Sequence, residues 1–515
     1  MSKQEQQDLN IMLKIGGFAG VSKISDILTR YATSIVLTRI LGVELFGIFV
    51  LGRTIVMVTG LLSKLGMGYG VVRQIAFYTA KNDDNKIQQT IRLAILVSCF
   101  ISLTATILLL WLGDYFSTVL FKKPMPVLPL KILVFTIPII TILHILMDVL
   151  RGFKKINKRI VVEFYFLPLS NLLMIFIFFL LGYRLEGAIV SFILSNIISL
   201  MILIIINRKK IRITGPPPFL KKKVVLEFFK FSFPLAFVDI IGVLKNRIEV
   251  LFLGLLSTAS NVGIFFIAFR LANLTSIPWQ AFNMIFAPMV SGYYARNEIK
   301  KIEYNYKNIT KLMVLFSMYF LGFLLIFSSE LLSIFGSEFI KGTAVVILIC
   351  FGQMVKTWVG HAGPMLAMIG KPSLNLLITV ITLILMAMLN LLLIPRLGIT
   401  GAAVAHVTGM TVSSLLELFF IHRLLHIHPF RKDFLKPVFA VLLSGAVIYL
   451  FKTLLPKTIL VTVFLATAFT ALYSVLLYLQ KLTNEEMEML YTIRQTTLTR
   501  RIKKSEIPKN VGKKN

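Results

Sequence analysis

Apolar runs of roughly twenty residues recur from one end of this 515-residue chain to the other. Each is long enough to cross about 30 Å of hydrocarbon as a helix. A helix that is apolar all round has to be buried in protein or in lipid, and no soluble fold takes in so many. Fourteen runs can be marked: 13–39, 43–68, 89–113, 127–150, 160–182, 187–206, 227–256, 262–287, 308–330, 342–369, 373–394, 400–421, 437–453 and 459–480. The expected fold is an all-α polytopic membrane protein with 14 transmembrane helices. The first run is amphipathic rather than uniformly apolar. The seventh contains Pro234, and the break in that span is expected there.

A net charge of +32 would suggest nucleic acid in a soluble protein, but here its distribution argues otherwise. With the first segment placed in the cytoplasm, the inward segments hold 35 Lys and Arg and the outward loops 8. That asymmetry is the positive-inside pattern. It predicts a multi-pass protein of the cytoplasmic (plasma) membrane with both termini in the cytoplasm. The basic face would meet anionic membrane lipids, and no nucleic-acid partner is expected.

Internal similarity divides the chain. Asp26 in the first run matches Asp239 in the seventh at an offset of 213. GIFVLGR (47–53) matches GIFFIAFR (263–270), setting Arg53 against Arg270 at 217. Gly152 and Asn157 match Gly370 and Asn375 at 218, and Gly187 matches Gly401 at 214. Four ordered matches with nearly constant offset imply a duplicated six-helix unit. Six is even, so the two lobes should be related by a pseudo-twofold axis along the membrane normal. The expected organisation is an N-lobe over 1–206, a basic Pro-rich cytoplasmic linker over 207–226 and a C-lobe over 227–421. Two further helices lie in 437–480, and a basic cytoplasmic tail fills 481–515.

Charges inside the runs are few, with charged residues making up 15% of the chain against about a quarter in soluble proteins. Arg30, Arg53 and Arg270 are the most informative of them. At about 1.5 Å per residue, each lies about 12–15 Å below the expected outer surface, close to the bilayer midplane. A guanidinium stays protonated and is costly there unless it faces protein, water or a ligand. Three at one depth, two of them repeat-related, point to a shared aqueous cavity whose ligand is an anion. Lys23, Lys64 and Lys356 extend the basic set, and Asp26, Asp239 and Glu249 are expected to orient these cations. Lys245 and Glu249, at i and i+4, are expected to pair.

No glycine-rich phosphate loop with a lysine is present, so ATP hydrolysis is not expected. His144, His361 and His406 are isolated in sequence, which argues against a metal site. The outward loops are too short for a glycan polymerase, and the chain is expected not to be an enzyme.

The run RILGVELFG (39–47) and the segment LSKLGMGYGVVRQ (62–74) resemble the opening of the polysaccharide-transporter flippases. These belong to the multidrug, oligosaccharidyl-lipid and polysaccharide exporter superfamily. The resemblance implies two six-helix lobes around a central cavity. It implies transport of an isoprenoid-pyrophosphate-linked oligosaccharide by alternating access, with glycosyltransferases or a glycan polymerase as partners. Fourteen spans are also similar to the lipid II branch, where arginines of spans 1, 2 and 8 line the cavity, and Arg30, Arg53 and Arg270 occupy those spans here. That branch carries a sodium site, for which Asp239 and Asn375 are the matching residues. The eleventh span has no carboxylate, so coupling to Na+ or H+ stays open and no cofactor is expected. The alternatives are a lipid II flippase and a multidrug cation antiporter of the same fold.

Overall fold

The computed structural model describes residues 3–115, 127–208, 222–456 and 458–479. These form helices α1 (Lys3–Leu62), α2 (Met67–Ala80), α3 (Asp84–Tyr115), α4 (Val127–Val134), α5 (Thr136–Gly152) and α6 (Ile156–Ile160). A π-helical turn (Val161–Phe166) leads into α7 (Leu167–Leu180), followed by α8 (Leu185–Asn207), α9 (Lys222–Lys245), α10 (Ile248–Leu256) and α11 (Ala259–Ala272). The chain continues as α12 (Ile277–Ala295), α13 (Ile299–Ser333), α14 (Thr343–Val359), α15 (Ala362–Met368) and α16 (Pro372–Leu397). It closes with α17 (Ile399–Leu425), α18 (Leu435–Leu454) and α19 (Ile459–Leu479). No strand occurs among the described residues.

Twelve helical stretches among the described residues are long and apolar enough to cross a membrane. The first, Ser22–Leu62, takes in both the first and the second predicted runs. Its interior holds Gly42 at φ 71°, a backbone region that L-residues with a side chain rarely adopt. Arg30 and Arg53 would stand about 35 Å apart on a straight helix of that length. Both line one small cavity, so the two arms, 22–41 and 43–62, fold back on each other at Gly42.

The seventh run differs from its expectation. α9 continues through position 234, because a proline's fixed φ is helical and removes only one backbone donor. The break comes instead at Asn246 and Arg247, where Arg247 leaves helical geometry at φ −132°, ψ −4°. The tail and most of the linker, 209–221, lie outside the described residues.

Lipid is as apolar as leucine, so close van der Waals packing rather than hydrophobic exclusion joins helices inside a bilayer. The largest core cluster follows that rule and sits where the second arm of α1 meets α11 and α14, with Phe46, Phe49, Phe265, Ile264 and Ile349 fully buried. α18 and α19 lie against α13. Phe469 stacks on Tyr473 at 16° between planes, and the Tyr473 hydroxyl donates to the Leu315 carbonyl at 2.7 Å. Their opposite faces leave Phe439, Leu442, Tyr449 and Tyr478 exposed, as lipid-facing positions should be.

Candidate functional site

Two adjoining cavities lie between α1 and α11. The first, a chamber of about 260 Å³, is lined by Arg30, Arg53, Arg247 and Arg270 together with Ser34, Asn171 and Asn273. Aromatic residues Phe46, Phe49, Phe192, Phe266 and Phe269 line the rest. The second, a vestibule of about 400 Å³, is lined by Lys23, Asp26, Glu163 and Gln280. Arg30, Arg270 and Asn273 belong to both and form the waist between them. Close in sequence to the Gly42 turn, Phe46 lines the chamber, and its ring meets Phe266 and Phe339 edge-on at 6.1 Å each.

The arginines are held unequally. Arg30 donates through Nε to the Asp26 carboxylate, which also takes a 3.3 Å contact from Lys23. Asp26 is 2% exposed, and a carboxylate so buried needs both cations to offset its lost hydration. Arg270 is gripped from α1. Its Nη1 donates to Ser34 Oγ at 2.6 Å, its guanidinium lies 4.8 Å above the Tyr31 ring, and the Tyr31 hydroxyl donates to its carbonyl oxygen at 2.7 Å. Arg53 rests 5.2 Å over the Phe192 ring, and its buried Nε has no hydrogen-bond partner. Arg247 likewise has no ion pair or hydrogen bond from its side chain among the described residues. Among those residues no carboxylate lines the chamber.

The structure thus brings together Arg30, Arg53 and Arg270, with Lys23 and Asp26 in the adjoining vestibule. It sets the other predicted positions elsewhere. Lys64 donates to Asp148 at 2.9 Å in a buried network with Arg159, and lines neither cavity, because its partner stands on α5 rather than across the lobes. Lys356 sits 4.0 Å over the Trp279 ring, also off both cavities. Asn375 lies in the first turn of α16, where its carbonyl accepts from Thr379. The Asp239 side chain lies outside the described residues. Glu249 does not pair with Lys245. The helix break at 246–247 removes their i,i+4 relationship, so Glu249 Oε1 meets His406 Nδ1 at 2.7 Å and Lys245 donates to Ser413 at 3.1 Å.

Arg247 is a chamber residue that the sequence alone does not single out. It reaches the chamber because the break turns it out of the α9 axis, a signal that the asparagine ahead of it carries only weakly. The asparagines and phenylalanines of the chamber were missed, since neither residue type stands out in an apolar run. No group of three or more His, Cys, Asp or Glu that could hold a metal occurs among the described residues.

Comparison with known proteins places this architecture. Residues 16–293 match a family described as polysaccharide biosynthesis protein. A probable low-salt glycan biosynthesis flippase of Haloferax volcanii is 30% identical over 240 residues, which is 46% of this chain and 50% of that protein. The alignment therefore spans half of that relative's length. Stage V sporulation protein B of Bacillus subtilis is 21% identical over 449 residues, 81% of this chain and 85% of that one. Among solved structures, the lipid II flippase MurJ in an inward closed conformation superposes with a TM-score of 0.72 at 15% identity, covering 89% of this chain and 97% of that chain. An inward-facing multidrug resistance transporter of the MATE family gives 0.66 at 17% identity, covering 78% and 94%. At such identities the structural likeness establishes a shared fold.

Proposed function

We propose that this chain, which belongs to the polysaccharide biosynthesis protein family, is a flippase that carries an isoprenoid-pyrophosphate-linked oligosaccharide across the cytoplasmic membrane by alternating access. The observation that carries the reading is the chamber itself: four guanidinium groups, two of them without an ion pair or hydrogen bond among the described residues, and no carboxylate among the described lining residues. A pyrophosphate diester is doubly anionic, and arginine's planar fork suits phosphate oxygens through paired, charge-assisted hydrogen bonds. Arg30, Arg53 and Arg270 would face the anionic substrate, with the pyrophosphate against Arg30 and Arg270 at the waist and Lys23 attracting it into the vestibule. The glycan would occupy the hydrated cavity while the isoprenoid stays in lipid.

In this reading, fourteen spans form two six-helix lobes, both termini are cytoplasmic, and glycosyltransferases on that face supply the substrate. The vestibule at the Lys23 end then opens to the cytoplasm, and the chamber is closed toward the outside. A cation antiporter of the same fold would need an acidic chamber, which four arginines oppose.

The test is export. Arg53→Gln and Arg270→Gln, each shown to reach the membrane folded, should abolish the appearance of lipid-linked glycan at the outer leaflet. Export at the level of the unmodified protein in both variants would overturn the reading.

A further inference from the structure

The four chamber arginines fall into two tiers. Arg30 and Arg270 form the waist shared by both cavities, and each already has a protein partner, Asp26 for one and Ser34 for the other. Arg53 and Arg247 line the chamber and not the vestibule. Among the described residues no acid or hydrogen-bond acceptor meets their side chains, and Arg53 Nε is buried and unpaired. The pyrophosphate diester brings two negative charges. Asp26 offsets one of the four arginines, so a bound diester leaves surplus positive charge inside.

That surplus matters when the chamber dehydrates. While the vestibule is open, water can screen Arg53 and Arg247. Once the cavity closes for crossing, a buried charge without a counter-charge is strongly disfavoured. The chamber's volume, about 260 Å³, lies below the range usual for drug-sized ligand pockets. It has room for the sugar next to the pyrophosphate and little of the remaining glycan. The part of the substrate that reaches Arg53 and Arg247 is therefore that first sugar.

Resting on the flippase reading, we propose that the sugar adjoining the pyrophosphate carries an anionic substituent, a carboxylate or an ester of an inorganic acid, which Arg53 and Arg247 select. The pyrophosphate then sits at the Arg30 and Arg270 waist. The first sugar stands in the chamber with its ring on phenylalanine faces and its anion against the inner arginine pair. Arg247 becomes a specificity residue rather than a redundant cation.

Binding of two defined probes tests this: farnesyl-diphosphoryl-glucose and farnesyl-diphosphoryl-glucuronate, measured on the purified full chain in lipid nanodiscs at 0.5 M salt to suppress long-range attraction. The glucuronate probe should bind at least tenfold tighter. Arg247→Gln and Arg53→Gln should reduce that ratio to below about threefold, while Arg247→Lys retains most of it. Arg30→Gln and Arg270→Gln should weaken both probes and preserve the ratio. Equal binding of the two probes to the unmodified protein, or an unchanged ratio in Arg247→Gln, overturns the proposal and leaves the flippase reading standing. Failure of both probes to bind overturns the two together.

Discussion

Gly47 and Gly263, equivalent positions of the internal repeat, face each other where the second arm of α1 crosses α11. A Cβ on Gly47 would run into the carbonyl oxygen of Ala259, and a Cβ on Gly263 would sit 2.8 Å from that of Val43. The contact is reciprocal, and it is the close approach that small residues permit between helices. It adjoins Phe46, which lines the chamber. Gly47→Val should force the helices apart there. A cysteine placed at Leu37, inside the chamber, should become more reactive toward a membrane-impermeant maleimide added from outside. Unaltered labelling would show that the crossing does not seal the chamber.

Tyr31 positions Arg270 in two ways, and they separate by mutation. Tyr31→Phe removes the 2.7 Å hydrogen bond to the Arg270 carbonyl but keeps the ring under the guanidinium. A net loss of about 0.5–1.5 kcal/mol is expected, roughly two- to tenfold in probe affinity. Tyr31→Ala also removes the cation–π contact and should cost about 0.5–2 kcal/mol more. Equal affinities for the two variants would show that the ring contributes nothing.

The Lys64–Asp148 pair is structural. Side-chain exposures are 11% and 8%, and removing Asp148 strands Lys64 as a buried charge, whereas removing Lys64 leaves Asp148 its contact with Arg159. Asp148→Ala should lower stability by about 3–5 kcal/mol, Lys64→Ala by less, and Lys64→Ala with Asp148→Ala should recover a good part of the larger loss. Thermal unfolding in detergent reads all three. An Asp148→Ala protein as stable as the parent would show that the pair carries no weight.

His406 depends on Glu249. Nδ1 meets the carboxylate, while Nε2 is buried and unpaired. Glu249→Ala leaves the ring with no partner at all and should cost about 1–3 kcal/mol, whereas Glu249→Gln keeps a hydrogen bond and should cost less. The order of the two melting temperatures decides it.

What could be read from the sequence follows from what each residue needs. Apolar runs declare themselves because lipid admits so few alternatives, and Arg30, Arg53 and Arg270 stand out because they are charges inside such runs. Internal similarity then sets Arg53 against Arg270. Lys64 misleads for the same reason: it is a charge in an apolar run, and its partner, 84 residues away on another helix, has no local signature. The Glu249 pairing fails because one irregular residue, Arg247, ends a helix that the apolar pattern runs straight through. Pro234 was the stronger textual signal and the weaker structural one. Gly42 was simply the gap between two runs, although its positive φ is what folds Arg30 and Arg53 together.

A hairpin that reverses through the single residue Gly42 has no slack. Lengthening it by even a few residues would let the two arms slide past one another and carry Arg30 out of register with Arg53. Epitope tags, fluorophores and natural insertions should be accepted at other connections long before they are accepted at this tip.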